Sequence, residues 1–597
     1  MLETRIDEGA AEQVVDDSRL PILFEPGNPF GMPQEAFIET AAKGKRSFSL
    51  QASTSLDELL KGLQQPLNDL LQNQVGEAKA DLAARPNNPY ALNNLGVACL
   101  NAGKFDEAAS HFKQALAIAP SYLPAGSNLA KLYAATNRLE EAIRTYQELS
   151  QAHPKNSVVL MNLGLIYVQR GEYQLAEEIL DRVISLEPNN AQAYCNRGMV
   201  RGVRRQVREA VADLRNALKI APSHPATYNN LGVCFLLLGS PKKAIRSFKT
   251  ALILDPLNEP ATENLAQVYL SLQTPEPAID LLRDYLQARP EDFEARVVLA
   301  RAYFLLGKHN HSVQHLSAAL EIVERKGLKS EIVDILNNLG VVYQAQCRWD
   351  GAREFYGRSL AIQPKNLVAL RNLASVFFEL EDLPAAKEVI DYYHEHFPSD
   401  PIAYALTGIY HAINEEYDDA LLQLERAIAM EPDRPLPYGW LTTILVEVKG
   451  DCRLAIERLE HALQLFPHDK VILNNLAYSY LMLGDTEKAR SILDGIDEKR
   501  YDSFLTATKG LLLLKEGDKE RANYYYNEAS RQAATRELKN LVLQKKNLEL
   551  GRDALRRGDR AEAVSLLRHS LTFKTQRHHY FKKQSKELLH DLEEGRA

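Results

Sequence analysis

The chain has 597 residues, 45% hydrophobic and 25% charged, with a formal net charge of −8. That length exceeds what one hydrophobic core supports and points to several domains or a repeat array. The acidic balance, with an isoelectric point near 6.1, excludes binding to nucleic acid or an anionic membrane through bulk charge.

The first residues, MLETRIDEGAAEQVVDD, are acidic and contain no apolar run, so they do not read as a secretory signal. Residues 1–50 include LPILFEPGNPFGMPQEAF, rich in proline and aromatic residues and without helical period. They read as an extended, disordered arm, suited to docking into a partner or into the chain itself. Residues 51–88 read as capping helices or a worn repeat, because Pro86 lies 34 residues before Pro120. No stretch approaches the roughly 18 uncharged apolar residues of a membrane-spanning helix.

From residue 89 onward the chain keeps time. Pro120, Pro154, Pro188, Pro222, Pro256 and Pro290 are each 34 apart, and Pro364, Pro398 and Pro432 resume the spacing. A small residue marks each unit, at Gly96, Ala130, Gly164, Gly198, Gly232, Ala266, Ala300, Gly340, Ala374, Gly408, Thr442, Ala477, Gly510 and Gly551. We call this the anchor. Twelve residues later stands Ala108, Ala142, Ala176, Ala210, Ala244, Ala278 or Ser312 in the first seven units. Small residues let two helices approach closely, and proline ends the second because it cannot continue the hydrogen-bond ladder. Residues 89–323 hold units 1–7 and residues 324–570 hold units 8–14, the last four degenerate. The insertion ERKGLKSEIVD at 324–334 lengthens the seventh unit to 40 residues and is expected to extend the helices around that turn, as a possible hinge. Residues 571–597 read as a charged helix capping the open end of the array. The five cysteines are scattered, without a CxxC, and read as small core residues in a reducing cytoplasmic compartment.

The clearest unit contains Leu231, Gly232, Phe235, Ala244, Phe248, Ala251 and Pro256. This pattern resembles the tetratricopeptide repeat. The resemblance covers most of the chain. It implies an all-α, right-handed superhelical solenoid of about fourteen helix-turn-helix repeats with terminal capping helices. It further implies that the first helix of each pair lines a concave, protein-binding face.

Two residues before the anchor stand Asn94, Asn128, Asn162, Asn196, Asn230 and Asn264, then Val298, then Asn338 and Asn372, and later Asn475. This series resembles the asparagine ladder in the repeat array of the O-linked N-acetylglucosamine transferase. That resemblance implies amides contacting the main chain of an extended peptide. A side-chain amide both donates and accepts, so it pairs with any peptide unit. Two other origins stay open: the amides satisfy groups within the array, or they are inherited by repeat duplication. One turn beyond the anchor, Leu236, Leu237, Leu270, Phe304, Leu305 and Phe378 suggest an apolar groove wall. The Lys/Asn/Lys/Arg constellation with which related clamp domains hold chaperone tails is missing, since no Asn follows an anchor.

In the fourth unit Arg197 and Arg201 replace Leu and Tyr, and Arg204, Arg205 and Arg208 follow. They could meet an acidic ligand, or snorkel to the surface and pair with neighbouring acids. His311 and His315 have metal-compatible i, i+4 spacing, but no HExxH pattern accompanies them, and His309 is placed in the preceding turn. No metal or other cofactor is expected. Of the three neighbouring tyrosines at 524–526, register assigns Tyr526 to the core. Phosphate loops, nucleophile elbows and dinucleotide fingerprints are all missing.

The sequence therefore reads as a non-catalytic scaffold that binds an extended polypeptide in a concave groove and organises a multi-protein complex. A chaperone or escort subunit, and a regulatory or substrate-recruiting subunit of a separate catalytic chain, are the alternatives. The expected partners are proteins, not nucleic acid, with no insertion into a membrane.

Overall fold

A computed structural model describes residues 66–432, 434–498, 501–533, 536–573 and 579–594. The expected arm at 1–50, and the capping segment up to residue 65, lie outside them. Among the described residues all regular structure is helical, and the helices come in pairs that follow the period. The first pair is Pro89–Asn101 and Phe105–Ile118; the fifth is Pro225–Leu237 and Pro241–Leu254. We call the two helices of each pair A and B.

Local chemistry explains the punctuation. Two residues past several period-marking prolines stands an Asn or Asp that begins helix A. Asn156, Asn190, Asn258, Asn366 and Asp400 each accept a hydrogen bond from a main-chain N–H of the first turn. Helix A ends in a left-handed residue seven past the anchor, which is glycine at Gly103, Gly171 and Gly239. Asn137, Arg205, Gln273, Cys347, Glu381 and Glu415 take the same conformation without being glycine. A side chain there costs roughly 1 kcal/mol or more. Glu415→Gly should therefore raise stability by roughly 0.5 kcal/mol, after the added chain entropy of glycine is subtracted. A urea titration checks this, and an unchanged or lower midpoint would contradict it.

Close packing explains the small residues. Ala108, Ala142, Ala176, Ala210, Ala244, Ala278 and Ser312 are all fully buried. Tyr526, the register-assigned core tyrosine, is fully buried, whereas Tyr524 is exposed. The insertion at 324–334 extends both helices that flank it, to His309–Lys326 and Lys329–Ala345, with left-handed Gly327 near their junction. The eleventh unit is one residue longer than the 34-residue period, since Thr442 and Ala477 are 35 apart. Helix Leu436–Ile444 absorbs the extra residue as a π-helical turn, Leu445–Lys449.

The chain divides into two compact units, one holding the described residues up to Ala302 and the other those from Tyr303 onward. Within each unit, successive A helices also touch one another, as Ala191–Val203 touches Pro225–Leu237. The A helices therefore line the more tightly curved side of each unit. The last helix, His579–Glu593, does more than cap an end. It buries Phe581, Leu589 and Leu592, and Gln584 Nε2 donates to the main-chain oxygen of Glu447 at 2.9 Å. No described helix is long and apolar enough to cross a membrane.

Candidate binding surface

The asparagine series lies on the A helices, and its surroundings divide it. Asn196 and Asn230 are 0% exposed, Asn264 is 2% and Asn338 is 0%. The amides point along the array. Asn264 Nδ2 donates to Asn229 Oδ1 at 2.9 Å, Asn230 Nδ2 lies 3.6 Å from Cys195 Sγ, and Asn196 Nδ2 lies 3.3 Å from Met161 Sδ. Asn128 Nδ2 donates to Asn93 Oδ1 at 3.0 Å. One rule covers all four. Each amide reaches the side chain three residues before the anchor of the preceding unit, 35 residues earlier.

The rule also explains the irregular members. In the eleventh unit that receiving position is Gly439, which has no side chain, and Asn475 Nδ2 bonds instead to the anchor hydroxyl, Thr442 Oγ1, at 3.3 Å. Thr508 stands at the ladder position of the thirteenth unit and donates to Asn474 Oδ1 at 2.8 Å. Asn372 Nδ2 and its counterpart Asn337 Oδ1 are buried without a hydrogen-bond partner. Asn162 stands beside Tyr146, where its amide opposes the burial that pushes the phenol upward. Asn94, Asn128, Asn162 and Asn475 are half-buried.

Removing a buried amide strands the group it served, which costs about 1–3 kcal/mol. Asn264→Ala should therefore destabilise by about 1–2 kcal/mol, whereas Asn94→Ala should stay within about 0.5 kcal/mol. Thermal melts of the two single variants check this. Equal losses would mean that burial does not divide the ladder.

The arginine cluster of the fourth pair faces the chain's own acids. Arg197 forks onto Asp213, with Nη2 2.6 Å from Oδ1 and Nε 2.9 Å from Oδ2, and its Nη1 is 2.6 Å from Asp181. Arg201 joins Glu177 and Asp213, each at 2.8 Å, and Arg204 also bonds Glu177. The expected acidic-ligand patch is corrected accordingly. Arg197, Arg201 and Arg204 spend their charge on helix B of the third and fourth pairs. Arg205 is the left-handed turn residue, and Arg208 is an exposed residue of helix B.

Burial raises the Glu177 carboxyl, but Arg201 and Arg204 more than offset this and hold it below its ordinary value of 4.5. Its stabilising contribution is present above that ordinary value and is lost as pH falls through the lower folded value. Protection of the Tyr173–Leu186 amides, measured relative to the intrinsic exchange rate at each pH, should thus fall on acidification, and Glu177→Gln should flatten that response. An unchanged acid slope in the variant would contradict the assignment.

His311 and His315 stack against the Tyr303 ring, with centroids 5.0 and 5.5 Å away. His309 opens helix His309–Lys326 instead of lying in the preceding turn. The five cysteines are free thiols.

The family description "Tetratricopeptide repeat" matches residues 75–122, 100–157, 140–194, 195–259, 293–365, 371–435, 449–505 and 548–569. The chain belongs to the tetratricopeptide repeat family. Among curated relatives, the ycf37 protein of Pyropia yezoensis is 37% identical over 60 residues, 10% of this chain and 34% of that protein. The match thus spans about a third of the relative's length. Among solved structures, the APC/C hetero-tetramer Cut9–Hcn1 aligns over 76% of this chain and 95% of that chain at 15% identity, with a TM-score of 0.46. Yeast Tom70 aligns over 73% and 96% at 18% identity, with a TM-score of 0.38.

Sequence reasoning found the tetratricopeptide anchors and the ladder. It missed the side chains grouped around Glu447, which come from four helices. Only the one-residue excess of the eleventh unit signals anything unusual there.

Proposed function

We propose that this tetratricopeptide chain is a non-catalytic cytoplasmic scaffold. It holds an extended polypeptide against the inner, A-helix side and so organises a multi-protein complex. The observation that carries this reading is the half-buried amide register of the first three pairs, Asn94, Asn128 and Asn162. Their neighbours deeper in the series, Asn196, Asn230 and Asn264, are buried, so the contacting part of the ladder narrows to these three, of which Asn128 also donates to Asn93. The free cysteines support a reducing compartment.

The test uses the full chain and a displayed library of unstructured peptides. Each amide-to-peptide bond contributes about 1 kcal/mol. The triple variant Asn94→Ala, Asn128→Ala, Asn162→Ala should then weaken selected peptides by about a hundredfold while staying folded, and Asn128→Ala alone, which strands Asn93, serves as the control for lost stability. Selected peptides that bind the folded triple variant unchanged would sink the reading.

A further inference from the structure

The second unit contains a cavity of about 110 Å³ on its inner side, walled by A helices of the last four pairs and by the final helix. A single water needs about 10–15 Å³ on this measure, so the space admits a ligand of several heavy atoms. Two charged side chains face it, Glu447 and Lys545.

Glu447 is there because of the π-helical turn. It is the middle residue of Leu445–Lys449 and is only 7% exposed. Its Oε1 accepts a hydrogen bond from the Tyr478 hydroxyl and lies 4.0 Å from Lys545 Nζ. Its Oε2 is buried and has no hydrogen-bond partner. Lys545 Nζ sits 3.5 Å from the Tyr478 ring centroid and 5.2 Å from that of Phe581. An ammonium has three donors, and rings and a distant carboxylate do not exhaust them.

The neighbouring polar groups are already engaged. Glu549 pairs with Arg552 at 2.6 Å. Thr508 bonds Asn474, Asn474 bonds Asn475 at 3.2 Å, and Asn475 bonds Thr442. Burial pushes the Glu447 carboxyl up and the Lys545 ammonium down, as it does for charges incompletely compensated.

The cavity thus offers one acceptor and one donor, and their formal charges cancel. A lone cation entering it would be repelled by Lys545, and a lone anion by Glu447. A neutral group with a donor and an acceptor side by side meets both demands. Phe504, Val542 and Tyr580 complete a wall suited to an aliphatic stem. We propose that this cavity binds a primary carboxamide, whose NH₂ donates to Glu447 Oε2 and whose carbonyl accepts from Lys545 Nζ. The carboxamide comes either from an Asn or Gln side chain of a bound polypeptide or from a free small amide. The inference does not depend on the amide register of the first unit.

Ligand-observed NMR titration of the full chain tests it with four probes: propionamide, propionate, n-propylammonium and N-acetyl-glutamine methylamide. The two carboxamides should saturate at millimolar concentration, at least about tenfold more tightly than either ion. Tighter binding of the capped glutamine points to a polypeptide source, and tighter binding of propionamide to a free amide. Glu447→Met should weaken both carboxamides by about tenfold or more. Ala507→Leu, which fills the cavity without touching either charge, should abolish binding even if the first variant fails to fold. Equal or tighter binding of an ion overturns the proposal. So does the failure of every probe to saturate, which would leave the cavity to water, and so does binding that survives in Ala507→Leu.

Discussion

Asp213→Ala should destabilise the fourth helix pair by about 3–5 kcal/mol, among the largest single-residue effects in this chain. The Asp213 side chain is only 4% exposed and serves two arginines, Arg197 at 2.6 Å and Arg201 at 2.8 Å. Its removal leaves two partly buried guanidinium groups competing for Asp181 and Glu177. Breaking a buried ion pair is costly because the surviving charge stays desolvated, not because the intact pair is strongly stabilising. The corollary can be checked separately. Replacing Asp213 by Leu together with Arg197→Met and Arg201→Met should recover most of the loss, since of the acids left behind Asp181 is half exposed and Glu177 keeps Arg204. Amide exchange across Ala191–Val203 and Val207–Ile220 is the proper readout, because repeat arrays open locally and need not unfold as one. A loss below about 1 kcal/mol for Asp213→Ala would show that water reaches these arginines. They would then be available to an external acid after all.

Gly232→Ala and Gly164→Ala should change stability in opposite directions. A Cβ on Gly232 would lie 2.5 Å from the Phe248 ring, and Phe248 is fully buried. Overpacking of this kind costs about 1–3 kcal/mol, and the helix propensity of alanine returns only about 1. A net loss of about 1–2 kcal/mol is expected, and Gly340→Ala, whose Cβ would lie 2.5 Å from Tyr356, should behave alike. At Gly164 the nearest atom belongs to Leu180, at 3.4 Å, an ordinary contact. There the propensity term prevails, and Gly164→Ala should stabilise by up to about 1 kcal/mol. Urea titrations of the two variants decide the matter, and shifts of the same sign would contradict the packing argument.

The same comparison shows why the repeats were legible. Anchor, small residue, cap and terminating proline are local requirements, each met by one residue type at one offset. Ala244 needs no distant information to be recognised. The seventh unit was legible for the same reason, since an insertion beside a helical turn lengthens the helices on both sides. The arginines of the fourth unit were not. Their departure from the repeat pattern was visible, but Glu177, Asp181 and Asp213 are ordinary residues of helix B until folding turns them inward.

The ladder marks the boundary between the two kinds of information. The sequence by itself determined the helix pairs, the register of the asparagines and the extra residue of the eleventh unit, because these follow from spacing along one chain. Only the tertiary structure decided which amides are spent. An amide's partner stands 35 residues earlier, at a position filled variously by Asn93, Met161, Cys195 and Asn229. No pattern at the asparagine itself reports that. The cavity at Glu447 lies further beyond the reach of sequence. Its charges come from residues 447 and 545, and its closing wall from residues 580 and 581. Helices far apart in the chain must pack before an incompletely compensated buried carboxylate exists at all.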